Sequence, residues 1–89
     1  MSKLPVPTVH PNGTSPRDLV KQAQEVYTAL DDALKAMRKA MPHGRDYYPQ
    51  GGSAYIKARK AHVELHEAVA AAKDSYASLA WDIHDIVDM

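Results

Sequence analysis

Apolar side chains recur along most of this sequence at alternating steps of four and three, a rhythm that commits the chain to paired α-helices. One row is Leu19, Ala23, Val26, Leu30, Ala33, Met37 and Ala40, and Val20, Tyr27, Leu34 and Met41 widen it to a stripe. The other is Tyr55, Ala58, His62, Leu65, Val69, Ala72, Tyr76, Leu79, Ile83 and Ile86, in which His62 is the single polar member. Between them lies Pro42-His43-Gly44-Arg45-Asp46-Tyr47-Tyr48-Pro49-Gln50-Gly51-Gly52-Ser53, whose prolines and glycines break any helix. Two matching rows joined by such a break predict an all-α fold, an antiparallel two-helix hairpin.

The ends of these helices are written locally. Ser15 is placed to cap the first helix, Pro16 suits its first turn, Asp18 complements the positive end of its dipole, and Pro42 stops it. The first helix is therefore expected over 15–41 and the loop over 42–53. With Ser53 as its cap, the second helix is expected over 54–88. Residues 1–14 form an extended N-terminal arm, with Leu4, Val6 and Val9 among prolines and an Asn12-Gly13 turn before the helix. All of 1–89 reads as a single domain. The second helix exceeds the first by about 12 Å. Pairing outward from the loop sets Pro16 near Leu79 and leaves Ala80–Val87 without a partner, for Leu4, Val6 and Val9 of the arm to cover. Trp81, beside that overhang, reads as an interface residue. A hairpin with one seam rarely holds alone, so the broad stripes predict self-association into a helical-bundle oligomer, a four-helix dimer or larger.

Composition narrows the setting. Apolar residues make up 45% of the chain, the proportion of a folded globular protein, and cysteine is absent, which excludes disulfide staples and thiolate metal sites. Neither a signal peptide nor an apolar run of membrane-spanning length is evident, so the cytoplasm is the expected location and no membrane partner is expected. The formal net charge of zero conceals a segregation. Residues 35–60 carry seven basic side chains and the one acid Asp46, a balance of +6, which leaves −6 for the rest. One end of the molecule is expected to be strongly positive.

The chemistry concentrates in the loop. Gly51-Gly52-Ser53 ahead of a helix offers backbone N–H groups and a positive dipole end to an anion. Arg45 can grip a phosphate or carboxylate with two hydrogen bonds, Lys57, Arg59 and Lys60 add positive field, and Tyr47 and Tyr48 can stack on a base. The same residues also suit a purely structural connection, with Arg45 and Asp46 at helix ends and the tyrosines packed on the tip. The segment is not a Walker loop. His10, Asn12 and Thr14 can hydrogen-bond a ligand or brace the turn into the first helix. His62 and His66 share a helix face, but lack a third metal ligand at recognisable spacing, and a hydrogen-bonded core histidine accounts for His62. Asp82, His84, Asp85 and Asp88 read as solvated helix charges. No nucleophile with a paired base, metal triad or cofactor fingerprint is present, so the expectation is a non-enzyme without cofactor or metal. The basic patch is small and no groove-reading motif accompanies it, so nucleic acid is not the expected partner.

His10-Pro11-Asn12-Gly13-Thr14-Ser15 and Gly44-Arg45-Asp46-Tyr47-Tyr48-Pro49-Gln50-Gly51 resemble motifs of a family of small proteins encoded by tailed phages and prophages. The resemblance spans nearly the whole chain, and the second motif is the more specific. Pro11 is a departure, since members more often carry leucine there. The hairpin with its arginine-bearing turn is also similar in architecture to phage sponge proteins (anti-CBASS and anti-Thoeris), oligomers that sequester cyclic-nucleotide immune signals between protomers. These resemblances imply a homo-oligomer that binds an anionic, nucleotide-like small molecule, and by position they pick out His10, Asn12, Gly13, Thr14, Gly44, Arg45, Asp46, Tyr47, Tyr48 and Pro49. With Lys57 added from the basic field of the loop, the expected ligand contacts are His10, Asn12, Thr14, Arg45, Asp46, Tyr47, Tyr48 and Lys57. A helical protein-interaction module, inhibiting a host defence protein or serving as a phage accessory factor, is the alternative.

Overall fold

Ser15 starts the first helix in the computed structural model, which describes residues 4–87. Its side-chain oxygen accepts a hydrogen bond from the backbone N–H of Asp18 at 3.2 Å, and Pro16 follows in the first turn. Helix α1 spans Pro16–Lys39 and closes at Ala40, whose N–H reaches the carbonyls of Ala36 and Met37, each at 3.1 Å. A short helix α2 (Gly44–Tyr47) and a 3-10 turn (Tyr48–Gln50) follow, and α3 runs over Gly52–Val87. The chain is all-helical among the described residues. Two boundaries differ from the sequence expectation. The 42–53 loop is largely helical, and Ser53 lies inside the first turn of α3, with Gly51 before it. Asp88, the expected last residue of that helix, lies outside the described residues.

Helices α1 and α3 pack along one another, and their contacts fix the alignment. The Lys73 ammonium donates to the Asp31 carboxylate at 2.8 Å and stands 5.1 Å from the Tyr27 ring centre. Counting in opposite directions from Asp31 and Lys73, Val20 falls level with His84 and Gln24 with Ala80, and these four residues line one groove together. Pro16 thus lies level with the end of α3, not with Leu79, and Lys39 lies level with Leu65. The overhang is at the loop end. Roughly 19 Å of α3, Gly52–Glu64, extends past α1. The α2 segment and the 3-10 turn pack against α3 there. Leu65 and Ile86, both assigned to the seam, are 61% and 50% exposed because each lies where the partner helix has ended or is just starting.

The result is a rod of 61 × 19 × 19 Å whose length is nearly that of α3, about 54 Å. Ala23, Leu34 and Ile83 form its buried core among the described residues. Ile83 is 1% exposed, and the half-buried Tyr76, Leu79 and Asp82 accompany it at the same end. Leu4 and Pro7 of the arm, which enters at that end, are half-buried. Val6 and Val9, expected to pack, are instead each 39% exposed.

Candidate functional site

The loop site is built on the overhanging start of α3. Asp46 N–H bonds the His43 carbonyl at 3.1 Å and closes the first turn of α2, and Gly51 N–H bonds the Tyr48 carbonyl at 3.2 Å. Gly51 then takes φ 93° and ψ 162°, a conformation that essentially only glycine adopts, and redirects the chain into α3. Tyr47 packs on Tyr55, with ring centres 6.5 Å apart and planes tilted by 45°. This contact spends Tyr47 on holding the loop down. Tyr48 points away and is 85% exposed.

Around this corner Arg45, Asp46, Lys57, Arg59 and Lys60 are all exposed. Among the described residues the ion pairs are those of Asp31 with Lys35 and Lys73, so the loop cations enter none. Their field is uncompensated locally, while the first N–H groups of α3 open on the same end. The loop therefore offers charge, hydrogen-bond donors and one free aromatic face, on an open convex corner.

His10, Asn12 and Thr14 are exposed and lie in the segment leading into α1. The His10 carbonyl accepts the Gly13 N–H at 3.0 Å, and a methyl group built on Gly13 would come within 2.8 Å of His10 Nε2. Gly13 lets the imidazole fold back over the turn, so His10 braces it as well as presenting an edge to solvent. The arm group and the loop group stand at opposite ends of the 61 Å rod, so one chain does not bring them together.

Two features carry no sequence motif. The Lys35 and Lys73 ammonium groups both reach Asp31, at 3.3 and 2.8 Å, and hold its carboxyl below the ordinary 3.8, with the Lys73 hydrogen bond the larger cause. Lys73 is in turn held above its ordinary 10.5, first by that hydrogen bond. An ionisable residue directly after Ala70, Ala71 and Ala72, one position beyond the seam residue Ala72, is the signal that could have found it. The second is a groove of about 410 Å³ between α1 and α3, walled by Val20, Gln24, Tyr27, Ala77, Ala80 and Trp81. Trp81, 66% exposed, is steadied edge-on by His84 at 5.9 Å.

His62 and His66 are half-buried on α3, and His62 Nε2 is enclosed without a hydrogen-bond partner. The hydrogen-bonded core histidine expected there is therefore not what the structure contains at Nε2. Among the described residues no three His, Cys, Asp or Glu side chains converge as metal ligands, and no helix is long and apolar enough to cross a membrane. No protein-family model, curated protein or solved structure matches this chain.

Proposed function

We propose that this protein is a non-enzymatic, phage-type anti-defence protein that binds and sequesters an anionic, cyclic-nucleotide-like immune signal in the host bacterial cytosol. In this reading antiparallel hairpins assemble into a helical-bundle homo-oligomer. The observation that carries it is the loop corner, where Arg45 in the loop and Lys57, Arg59 and Lys60 in the second and third turns of α3 are exposed and lie outside the ion pairs of the described residues. Such an arrangement suits a phosphate-bearing ligand better than a neutral one. Tyr48 supplies a free ring for a base, and Asp46 an acceptor for base or ribose donors. Lys57 follows one turn into α3. His10, Asn12 and Thr14 complete the ligand contacts only from a second chain, because their own loop is a rod-length away.

The test is calorimetric titration with a panel of cyclic di- and trinucleotides and cyclic ADP-ribose isomers, with the oligomeric mass recorded on the same sample. Binding that disappears in Arg45→Ala at unchanged mass supports the reading. Absence of heat across the panel from a folded sample overturns it. A second reading, a helical protein-interaction module, is favoured by Ile56, Leu65 and Trp81, each more than 60% exposed on α3. It predicts that charges placed on those faces abolish function while Arg45→Ala leaves it intact.

A further inference from the structure

Helix α3 is apolar over far more of its circumference than α1 covers. Beside the face that meets α1 runs a stripe at seven-residue spacing, Ile56, Val63, Ala70 and Ala77, continued by Trp81. Ile56 and Trp81 are 65% and 66% exposed and Val63 is 37% exposed. The groove beside Tyr27 prolongs the stripe on to α1. A helix with so wide an apolar arc is a central helix awaiting a further neighbour.

We propose that the neighbour is a second copy of this chain, laid antiparallel along the stripe with the two-fold axis at Ala70. Three observations select it. The first is area. The chain exposes 6781 Å², against about 5,200 Å² for a compact protein of this mass. The excess is ample for the roughly 800 Å² that each partner contributes to a standard stable interface. The second is charge. Residues 35–60, at the loop end, carry +6 and the remainder carries −6. A parallel pair would set the two positive ends side by side, whereas an antiparallel pair sets each against the other's negative end. Lys57 and Lys60 then fall level with the partner's Ile83 and Ala80, on the acidic stretch that carries Asp82 and Asp85. The third is shape. α3 spans Gly52–Val87, so Ala70 lies at its midpoint and pairing there overlaps the whole helix. Val63 meets the partner's Ala77, large against small, and the small residue at the axis lets the helices approach closely.

This pairing also carries the Arg45 loop to the end of the partner that bears its His10–Thr14 segment, so the two groups separated in one chain become neighbours across the dimer. That last consequence rests on the ligand reading above; the pairing itself does not.

The experiment is pulsed dipolar spectroscopy on the full chain, which has no native cysteine to compete for label. Nitroxides are placed singly at Lys60→Cys and at Ala71→Cys, with the mass of the unlabelled chain measured by sedimentation equilibrium. The expected result is a dimer mass, Ala71 labels near one another, and Lys60 labels offset by about 30 Å along the rod. Equal short distances at both sites would mean a parallel pair, and a monomer mass would mean that the stripe serves a different partner; either overturns the proposal. Ala70→Glu, which sets two carboxylates against each other at the axis, is expected to halve the mass with helicity retained. Ala71→Glu, on the polar side of the helix, leaves the mass unchanged. An unchanged mass in Ala70→Glu places the interface elsewhere and likewise overturns the proposal.

Discussion

Gly51 is the residue on which the route from loop to α3 turns. Its φ of 93° is the one positive value among the described residues, and nothing lies within 4 Å of where a Cβ would stand. Space is thus not the constraint; backbone conformation is. Gly51→Ala is expected to destabilise the fold by about 1–2 kcal/mol, read as a lower midpoint in urea unfolding with an unchanged slope. The parallel change Gly52→Ala, inside α3 and equally uncrowded, is expected to be neutral or stabilising. At this scale much was legible. The cap at Ser15, the proline after it and the stop near Pro42 are local chemistry, and each acts where its residue type says it should. Ser53 is not the cap, because Gly51, two residues earlier, takes a conformation open essentially only to glycine and the helix starts at Gly52. Enclosure of His62 Nε2 without a partner had no local signature, since it depends on what the fold places around the ring.

Between elements, one polar contact decides the alignment. The two apolar rows repeat every seven residues, so sliding α1 along α3 by about one repeat leaves the apolar match nearly intact. That is why counting outward from the loop put the overhang at the wrong end, while the helical class itself was plain from periodicity. The Asp31–Lys73 pair breaks the degeneracy, for a slip would leave an ammonium among the alanines of α3. Its pH dependence follows from the direction of each shift. Asp31 is held below 3.8, so its contribution is complete above that value and is lost as pH falls through the lowered folded value. Lys73 is held above 10.5, so its contribution is complete below that value and is lost as pH rises through the raised one. Asp31→Asn is expected to lower stability at neutral pH and to flatten the loss on acidification. Both are read from thermal melts between neutral pH and pH 2, and an acid limb as steep as that of the parent would assign the loss to other carboxylates.

For the molecule as a whole, three buried apolar side chains among the described residues make a slender core for a rod 61 Å long. A chain so thinly packed draws part of its stability from whatever covers α3, and if that cover is another copy, folding and assembly are linked. The melting temperature is then expected to rise with protein concentration, checked by calorimetry over a hundredfold dilution series, and a concentration-independent melt would mean that one chain suffices. The shortage of core was legible from length alone. The identity of the covering face was not, because both flanks of α3 are alanine-rich and only the alignment with α1 shows which side chains are left outside.

The separation of charge along the rod has an electrical consequence. With +6 over residues 35–60 at the loop end and −6 spread over the rest of the chain, a lone chain carries a permanent dipole along the rod. Its two main helices run in opposite senses, so their own dipoles largely cancel, and the side chains dominate. Such a rod turns in an applied field like a compass needle. Two rods laid side by side in opposite senses null each other along the axis, so the pair would lose its polarity as it forms.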